Sequence, residues 1–294
     1  MKQAILIVAF KDVNHLLDII KCFDKDEFIF FIHINVVSSI TSESIEMLKR
    51  VENVIHVEQK YKTYWGSVNH LRSILYLSTK AIKHDVSYIH LISGQDYPVK
   101  SSEYFQNFFK NNDKEYLEYS TMPNQFWASE NGGYDRIDFF HFNDYLNGVK
   151  KTNRGILKIS IKLQKLIGLK RGWKKSFPQL FSGGTWWSLT KASLTYVLKY
   201  LEENPAVKNR FNNTLVSEEF LLQTILLNSP FKDKIVNKNL RYILWETKHS
   251  NRPALLDEDD LHIILKSENV FARKIVDPIS SKLKAEINAI VHNL

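Results

Sequence analysis

The stretch Tyr88–Val99 constrains the fold of this chain more than any other. Its apolar run Tyr88–Ile92 has the length of a buried strand, and the run ends at Ser93-Gly94. Asp96 follows, and Pro98 then cannot continue a central strand. A carboxylate is therefore expected just past the carboxyl end of a strand, where open α/β sheets bind their ligands. The alternative is a plain strand-to-turn junction in which Asp96 caps the turn.

The first 36 residues predict the opening of a nucleotide-binding α/β sheet. Gln3–Phe10 has the pattern of a strand, Asn14–Phe23 has apolar residues at helical spacing, and Phe28–Val36 predicts a second strand. Strand, helix and strand in this order are typical of a sheet with helices packed on its faces. Together with the stretch 88–99, this pattern assigns the chain to the α/β class.

Length and composition set the outer limits of the fold. A chain of 294 residues can form one large domain or two small ones, and 44% hydrophobic residues suffice for a packed core. Cys22 is the only cysteine. It therefore excludes an intrachain disulfide and a cysteine-based zinc site, and it favours a reducing compartment.

The amino-terminal apolar run Gln3–Phe10 is far shorter than the roughly 20 residues that a membrane-spanning helix needs. Only Lys2 stands as a charge before it, and no small-residue cleavage site follows it. We therefore expect a first strand here rather than a signal peptide. No other segment of the sequence is long and apolar enough to span a bilayer.

The net charge of +8 is concentrated in one segment. Residues 146–178 contain no Asp or Glu. Their basic residues are Lys150, Lys151, Arg154, Lys158, Lys162, Lys165, Lys170, Arg171, Lys174 and Lys175. Such a segment attracts phosphates, whether of a nucleotide diphosphate, a lipid head group or a nucleic acid, and composition alone does not choose among them.

Within this segment, Ile156–Ile167 predicts an amphipathic helix with a cationic face. One interpretation is an ordinary surface helix that packs its apolar face on the domain and leaves its charges in water. The other is peripheral contact with an anionic membrane, a frequent use of basic amphipathic helices.

Two Asp-x-Asp triplets bear on metal binding, because carboxylates at this spacing can hold a divalent cation. Asp24-Lys25-Asp26 lies between a predicted helix and a strand, and Asp257-Glu258-Asp259 lies in an acidic run before another helix. Neither follows a core strand, so both are interpreted as solvated turns or charges at a helix start. The expected place for a metal motif is occupied by Ser93–Asp96, which has one carboxylate, fewer anionic oxygens than a hard cation usually takes.

The run Ser93–Pro98 resembles the signature of the core-2/I-branching enzyme family, glycosyltransferase family 14. That family includes β-1,6-N-acetylglucosaminyltransferases and, more distantly, peptide O-xylosyltransferases. Further matches follow in the family's order along nearly the whole chain. The resemblance implies a single glycosyltransferase-A domain over residues 1–294, with a Rossmann-like, mixed and mostly parallel sheet and helices on both faces.

The segment Ser217–Phe220 resembles the family motif Pro-Asp-Glu-Phe, and the family's catalytic glutamate maps onto Glu219. We expect a helix to open at Ser217, with Ser217 as its cap and both glutamates in the first turn, where their charged forms are favoured. The resemblance makes Glu219 the base that deprotonates the acceptor hydroxyl, and Glu218 is assigned to the acceptor side. The alternative is that Glu218 and Glu219 only stabilise the helix start.

The donor site is expected to use cations near the end of the chain. Ser267–Lys274 resembles the family's Phe-Ala-Arg/Asn-Lys signature, and in metal-independent members an Arg and a Lys hold the diphosphate. Lys274 matches that Lys directly, whereas Arg252 matches the Arg after a one-residue shift. Arg273 is a second phosphate contact or a surface residue.

Two further residues are assigned to the donor. Asp96 carries the signature carboxylate, and Asn35 stands at the end of the second strand, where the family usually carries Asp. Asn35 keeps the hydrogen-bonding shape of Asp and loses its charge.

Three residues are assigned to the acceptor. Arg136 lies beside the aromatic cluster Phe139–Phe142, and the family places such a cluster near the acceptor; without that context the cluster would be interpreted as a half-buried strand. Trp187 lies in Phe181–Thr190, which resembles the family's Gly-Ser-x-Trp/Phe strand near the catalytic centre. Trp245 matches a family Trp at the end of a strand that contacts the acceptor sugar. The alternative is that Trp245 packs in the core.

Trp65-Gly66 precedes a predicted helix, Val68–Ile82. The family has a similar pair before a helix that backs the sugar-nucleotide site. Trp65 is interpreted either as part of that site or as a core side chain.

These matches imply an inverting, metal-independent transfer of a sugar, N-acetylglucosamine, from a UDP-sugar to a hydroxyl of a surface glycan. No cofactor and no divalent metal are expected. The expected partners are the UDP-sugar, a glycan or lipid-linked glycan acceptor, and an anionic membrane that the protein contacts peripherally. The absence of an anchor favours a bare catalytic domain of bacterial origin in the cytoplasm, at the inner face of the plasma membrane.

Two other classes compete with this interpretation. A catalytically silent sugar-nucleotide or glycan-binding module would keep the aromatic clusters without turnover. A nucleic-acid-binding protein would use the basic segment, but no recognisable nucleic-acid motif accompanies the charge, so nucleic acid is not an expected partner.

Overall fold

The computed structural model describes residues 1–125, 127, 129 and 131–293. The strands are β1 (Gln3–Ala9), β2 (Phe28–Ile34), β3 (Val54–Glu58), β4 (Tyr88–Ser93), β5 (Asp96–Pro98), β6 (Glu115–Leu117), β7 (Ser120–Thr121), β8 (Phe181–Ser182), β9 (Trp187–Thr190), β10 (Ile235–Val236), β11 (Arg241–Ile243) and β12 (Phe271–Arg273). The α-helices are α1 (Val13–Lys21), α2 (Ser42–Lys49), α3 (Val68–Ala81), α4 (Ser102–Phe109), α5 (Asp135–Asp138), α6 (Lys151–Leu166), α7 (Lys191–Glu203), α8 (Pro205–Arg210), α9 (Leu221–Leu227), α10 (Leu261–Lys266) and α11 (Ser281–Ile287).

The main sheet has seven strands in the order β10-β6-β9-β4-β1-β2-β3. The pairs β1–β2, β1–β4, β2–β3 and β6–β10 are parallel, whereas β9 runs antiparallel to both β4 and β6. The expected mixed, mostly parallel sheet is confirmed. The prediction that residues 1–294 form one domain stays a prediction.

Helices cover both faces of this sheet because the apolar side chains of its strands alternate between two cores. Ile5 and Ile7 of β1 face a core shared with α1, α4 and α11. Ala4 and Leu6 face the opposite core, which is shared with α3, α7 and α9. This alternation of a strand buried on both sides is typical of a doubly covered α/β sheet.

A small sheet, β11-β12-β5, brings the end of the chain back to the main sheet. Its strand β12 pairs in parallel with β11 and antiparallel with β5, so that Arg273 is opposite Asp96. Arg241 of β11 is buried and donates hydrogen bonds to the carbonyls of Leu91 and Trp187, both at 2.8 Å. These bonds join the small sheet to the ends of β4 and β9.

One local expectation, the start of the basic helix, is wrong. Thr190 caps α7 by accepting a hydrogen bond from the Ser193 N–H. The aromatic stretch Phe139–Phe142 forms no strand. The basic helix begins at Lys151, five residues earlier than the apolar spacing indicated. In the described part of the chain, no helix is both long and apolar enough to cross a bilayer.

Candidate active site

The site is centred on the edge of the main sheet where β1 and β4 end side by side. The next strand of the main sheet after β1 is β2, on one side, and the next after β4 is β6, on the other side. Ligands of open α/β sheets bind in the crevice at such a reversal. Gly94 follows β4 directly, and a Cβ at this position would lie only 3.0 Å from the Cβ of Ala9. Glycine therefore lets the two strand ends approach closely.

Asp96 lies behind this edge rather than on it. Its side chain is fully buried, and it accepts hydrogen bonds from the Ser93 N–H, from Ser93 Oγ at 2.6 Å and from Arg273 Nη1 at 3.3 Å. The expected direct contact with the donor is therefore wrong, because no carboxylate oxygen is exposed to a ligand. Asp96 instead holds Arg273 in place.

Arg273 is fixed from two sides. Besides its ion pair with Asp96, its guanidinium carbon lies 4.3 Å from the ring centroid of Trp186. Its side chain is mostly buried, so the interpretation as a surface residue is wrong. A planar cation held by a carboxylate and an aromatic face is pre-organised for an anionic ligand.

Lys274 is a half-buried cation beside Arg273. Burial lowers the pKa of Lys274, the positive charges of Arg273 and Lys11 lower it further, and Asp96 opposes them. None of the described residues gives the Lys274 ammonium a hydrogen bond or an ion pair. Three cations, Lys11, Arg273 and Lys274, which we call the cation cluster, thus lie near one another, and Asp96 is the carboxylate that opposes the effect of the other two on Lys274. Such an excess of positive charge is suited to an anion such as a diphosphate.

Lys11 is a site residue that the sequence reasoning missed. It lies two residues beyond β1, at the strand end that a nucleotide site needs. The position of Lys11 just after the first predicted strand was the sequence signal that could have identified it as a site residue.

Arg252 and Trp245 lie on segments that flank Lys274. The Lys274 N–H donates to the Ala254 carbonyl at 3.2 Å, and the Ala254 N–H donates to the Leu244 carbonyl at 2.9 Å. Arg252, two residues before Ala254, is exposed, and within the described ranges its guanidinium has no partner. Trp245, next to Leu244, is 62% exposed, so its alternative as a core side chain is wrong.

Asn35 uses its side chain to hold the loop after β2. It donates to the Thr63 carbonyl at 2.6 Å and accepts from the N–H groups of Thr63 at 3.0 Å and Val37 at 3.2 Å. Its carboxamide is therefore occupied by backbone partners. A donor contact by Asn35 stays a prediction.

Glu219 lies in a 3₁₀ turn, Ser217–Glu219, rather than in the first turn of an α-helix. The α-helix begins at Leu221, and Val216 before the turn has a left-handed φ of 47°, an unfavourable conformation for a β-branched residue. The expected cap is wrong, because Ser217 Oγ is buried and has no hydrogen-bond partner among the described residues.

The electrostatics of Glu219 also differ from the expectation. Burial, followed by the negative charge of Glu218, raises the pKa of Glu219 to about 7, although Arg136 acts in the opposite direction. The Arg136 Nη1 donates to Glu219 Oε2 at 2.9 Å. The start of an α-helix was expected to favour the charged form of Glu219, but the α-helix begins only at Leu221, and burial dominates the pKa of Glu219. A carboxylate that titrates near neutral pH is suited to act as a general base.

Arg136 is held between Glu219 and an aromatic ring. Its guanidinium carbon lies 3.7 Å from the ring centroid of Trp127, and its side chain is one-quarter exposed. Arg136 therefore positions Glu219 and offers limited surface to an acceptor. Its direct acceptor contact stays a prediction.

Glu218 is buried and faces α3. Its Oε1 lies 3.1 Å from His70 Nδ1, whereas its Oε2 is buried without a hydrogen-bond partner in the part of the chain that the structure describes. His70 is another residue that the sequence reasoning missed, since nothing in its local pattern distinguishes it from other polar residues of α3. The acceptor role of Glu218 stays a prediction.

The assignment of Trp187 to the acceptor is wrong. Trp187 is 1% exposed and packs in the core between β4 and β6, because side chains alternate along β9 and its ring points inwards. The preceding Trp186 is only partly buried; it packs against the edge of the core and contacts Arg273.

The turn Gly183–Trp186 connects the two halves of the site. The Gly183 N–H donates to the Glu219 carbonyl at 2.8 Å, and Trp186 stacks on Arg273. A Cβ at residue 183 would lie 1.8 Å from the Glu118 carbonyl oxygen, so this close backbone approach requires glycine. The turn thus sets the spacing between Glu219 and the cation cluster.

The two Asp-x-Asp triplets have structural partners. Asp24–Asp26 precedes β2, at the sheet edge opposite the site, and Lys25 pairs with Glu52. Asp257 forms a capping box with Asp260 and pairs with Lys248 at 2.6 Å. Among the described residues, no group of three or more His, Cys, Asp or Glu is placed to hold a metal ion.

Comparison with known proteins places the chain among glycosyltransferases. It is 27% identical to xylosyltransferase 2 of Rattus norvegicus over 255 residues, which is 83% of this chain and 26% of the relative. It is 29% identical to β-glucuronosyltransferase GlcAT14A of Arabidopsis thaliana over 121 residues, which is 39% of this chain and 27% of the relative. The chain therefore spans about a quarter of the length of these curated relatives.

Among solved structures, Staphylococcus aureus TarS 1–349 aligns with 80% of this chain and 57% of its own, at 12% identity and a TM-score of 0.40. A sequence model described as Core-2/I-Branching enzyme matches residues 4–264, nearly the whole chain. The chain belongs to the Core-2/I-Branching enzyme family.

Proposed function

We propose that this protein is an inverting, metal-independent glycosyltransferase that uses a UDP-sugar as donor and a sugar hydroxyl as acceptor. One observation carries the proposal. The turn Gly183–Trp186 joins Glu219, a carboxylate with a pKa of about 7, to the cation cluster through direct contacts with both. The joined groups match the two needs of sugar transfer, a base for the acceptor and positive charge for the leaving group.

The proposed reaction is a single displacement at the anomeric carbon. The acceptor oxygen attacks this carbon as its proton passes to Glu219, and the bond from the carbon to the diphosphate oxygen breaks. UDP leaves with the bonding electrons, and the configuration at the carbon inverts. Arg136 holds the Glu219 carboxylate, so that the base keeps one orientation.

The cation cluster would stabilise the diphosphate as its negative charge grows. Positive groups that are fixed before the reaction act without reorganisation, and they replace the charge that a metal ion supplies in other transferases. Arg252, exposed beside the Lys274 segment, is proposed as a fourth phosphate contact.

We propose N-acetylglucosamine as the sugar that is moved, on the resemblance to the family's N-acetylglucosaminyltransferases, and a surface glycan as the acceptor. The names of the rat and Arabidopsis relatives refer to xylosyl and glucuronosyl transfer. The first experiment is therefore a turnover screen of UDP-N-acetylglucosamine, UDP-xylose and UDP-glucuronic acid. Exposed Trp245 is proposed to stack on the acceptor sugar.

A change of Glu219→Gln tests the base. It keeps the shape of the side chain and removes its basicity, so UDP release from the active donor should fall by about 10²–10⁴-fold, while UDP binding in a thermal-shift assay stays unchanged. Glu202→Gln, which changes an exposed carboxylate on α7, serves as the matched control and should keep most activity. Near wild-type turnover by the Glu219 variant would remove the base role, and UDP binding without turnover by the unmodified protein would favour the binding-module alternative.

The proposed location is peripheral, on an anionic membrane at the cytoplasmic face. Only Gln164 of helix α6 is buried. Apolar residues of the helix and its end are exposed, including Ile156 at 53% and Leu166 at 81%. These uncovered apolar side chains support membrane contact rather than a surface helix that packs its whole apolar face on the domain. An exposed apolar stripe flanked by lysines fits a bilayer surface, each lysine near anionic lipid contributing about 1 kcal/mol.

Liposome sedimentation tests this location. Vesicles that contain phosphatidylglycerol should pull the protein down, whereas pure phosphatidylcholine vesicles should not. Leu166→Asp should reduce the bound fraction several-fold, because it places a charge on the exposed stripe. Ile263→Asp on α10 is the control, because Ile263 is also an exposed apolar residue but lies outside the stripe. It should have no effect on the bound fraction. Equal binding of both variants, or failure to sediment, would contradict the proposed location.

A further inference from the structure

A cavity of about 620 Å³ lies beneath α6, away from the cation cluster. Much of its wall is apolar, and the side chains that form this wall are Trp65, Val149, Leu157, Ile161 and Leu215. Its volume is in the range of small-molecule sites in proteins. The proposed transfer of a sugar does not by itself use such a cavity.

The mouth of the cavity is positively charged. Lys158 and Lys162 of α6 line it, and no described carboxylate forms an ion pair with either lysine. Arg154 also lines it and donates hydrogen bonds to the carbonyls of Gly148 and Val149, at 3.2 Å and 3.1 Å, which holds the loop at one side. Because residues 146–178 contain no Asp or Glu, these charges are not neutralised along the segment.

One wall of the cavity is formed by residues that neighbour the candidate active site. Asp135 lines the cavity and is adjacent to Arg136, which holds Glu219. The Leu215 N–H donates to the Arg136 carbonyl at 3.0 Å, so this part of the wall is fixed to the same arginine. Asp135 Oδ1 is buried and lacks a hydrogen-bond donor among the described residues. A buried acceptor without a donor is costly, and a ligand hydroxyl would satisfy it.

We propose that this cavity binds the lipid chain of a lipid-linked acceptor, in which a phosphate joins the chain to the glycan. The apolar wall takes the chain, Lys158 and Lys162 take the phosphate, and Asp135 takes a sugar hydroxyl near Glu219. The inference rests on the proposed sugar transfer and narrows its acceptor to one chemical class.

The surroundings of the cavity favour this occupant. Leu157 and Ile161, which line the cavity, lie on the same helix as the exposed Ile159 and Leu163. The cavity and the exposed stripe therefore lie on different sides of one helix, roughly 10–12 Å apart. A water-soluble glycan would leave the apolar wall in contact with water, at a cost of roughly 25 cal/mol for each Å².

Calorimetric titration with farnesyl phosphate, kept below its micelle concentration, tests the proposal. Ile161→Trp fills the cavity, and Ile159→Trp is the matched control, because it makes the same change on the same helix outside the cavity. We expect the unmodified protein and the control to bind alike and Ile161→Trp to bind at least tenfold more weakly. Leu157→Phe, a smaller change in the same cavity, should weaken binding to a lesser degree, and UDP binding should stay unchanged in all variants.

Four results would overturn the proposal. The first is that farnesyl phosphate does not bind to the unmodified protein, and the second is that the two isoleucine variants bind it equally. The third is that inorganic phosphate alone displaces the probe. The fourth is that the heat of titration comes only from the separation of two copies of the protein that associate through α6. Probe binding requires no transfer. Cavity-dependent binding without any turnover would thus contradict the proposed function alone, whereas turnover on a soluble acceptor without such binding would contradict this inference alone.

Discussion

Glu219 shows how a single residue acquires its chemistry from opposing neighbours. Burial and the charge of Glu218 raise the pKa of its carboxyl group, whereas Arg136 at 2.9 Å opposes the shift. The net value of about 7 leaves a substantial fraction ionised at neutral pH. Asp96 shows the contrary case, a fully buried carboxylate that serves to hold Arg273.

These opposing effects predict the pH dependence of turnover. Since only ionised Glu219 accepts a proton, kcat/KM should rise as the pH increases through about 7. Arg136→Gln removes the charge that lowers the pKa of Glu219, so the rise should move to higher pH. Glu218→Gln removes the charge that raises that pKa, so the rise should move to lower pH. A rise that stays in place in both variants would show that Glu219 does not control the profile.

At the scale of elements, the four-residue turn Gly183–Trp186 between β8 and β9 links the two parts of the candidate site. It contacts Glu219 through the Gly183 N–H and Arg273 through Trp186. Residues from distant parts of the sequence are thereby held in one site. Helix α6 is the opposite kind of element, since it contributes little to the core and exposes Ile156, Ile159, Leu163 and Leu166.

Gly183→Ala tests the turn. The added methyl group would lie 1.8 Å from a backbone oxygen, so the backbone must shift and Glu219 should lose its alignment. A displacement of about 1 Å can cost about 100-fold in rate, and we expect a loss of that order in kcat. Gly155→Ala in α6 is the control, because nothing lies within 4 Å of its added methyl group. It should raise the melting temperature slightly, by its higher helix propensity, and keep kcat. A Gly183 variant with unchanged kcat would contradict the role of the turn.

On the scale of the whole molecule, the cation cluster exists because opposite ends of the chain meet at one sheet edge. Lys11 follows β1, whereas Arg273 and Lys274 belong to and follow β12, which pairs with β5. Arg241 secures this return of the chain by its bonds to β4 and β9. The resulting positive region is available to a diphosphate.

This arrangement predicts how UDP binding responds to metal removal and to the loss of one cation. The dissociation constant of UDP should be the same with EDTA and with Mn²⁺, because fixed side chains supply the charge. Lys274→Ala should weaken UDP binding by at least about tenfold, since hydrogen bonds to charged groups contribute about 1.5–3 kcal/mol. Lys266→Ala, an exposed lysine on α10, is the control. A loss of UDP binding in EDTA would contradict metal independence.

Much of the fold follows from local sequence pattern. The apolar runs of β1, β2 and β4 and the apolar face of α3 identify these elements, because burial on both faces of a sheet leaves a distinctive pattern. The motif resemblance also singled out Lys274 and Glu219, whose roles in transfer stay predictions. It failed for Trp187, since motif similarity does not say which of two adjacent tryptophans faces inwards.

The sequence by itself determined the α/β class, the strand that ends at Ser93 and the family, because these depend on residue order along short segments. Only the tertiary structure decided that Asp96 is buried behind Arg273, that Lys11 joins Lys274, and that Glu219 lies in a 3₁₀ turn with a raised pKa. The physical reason is that charge and solvation depend on neighbours in space. Residues 11 and 274 become neighbours only when β12 pairs with β5 beside the end of β1.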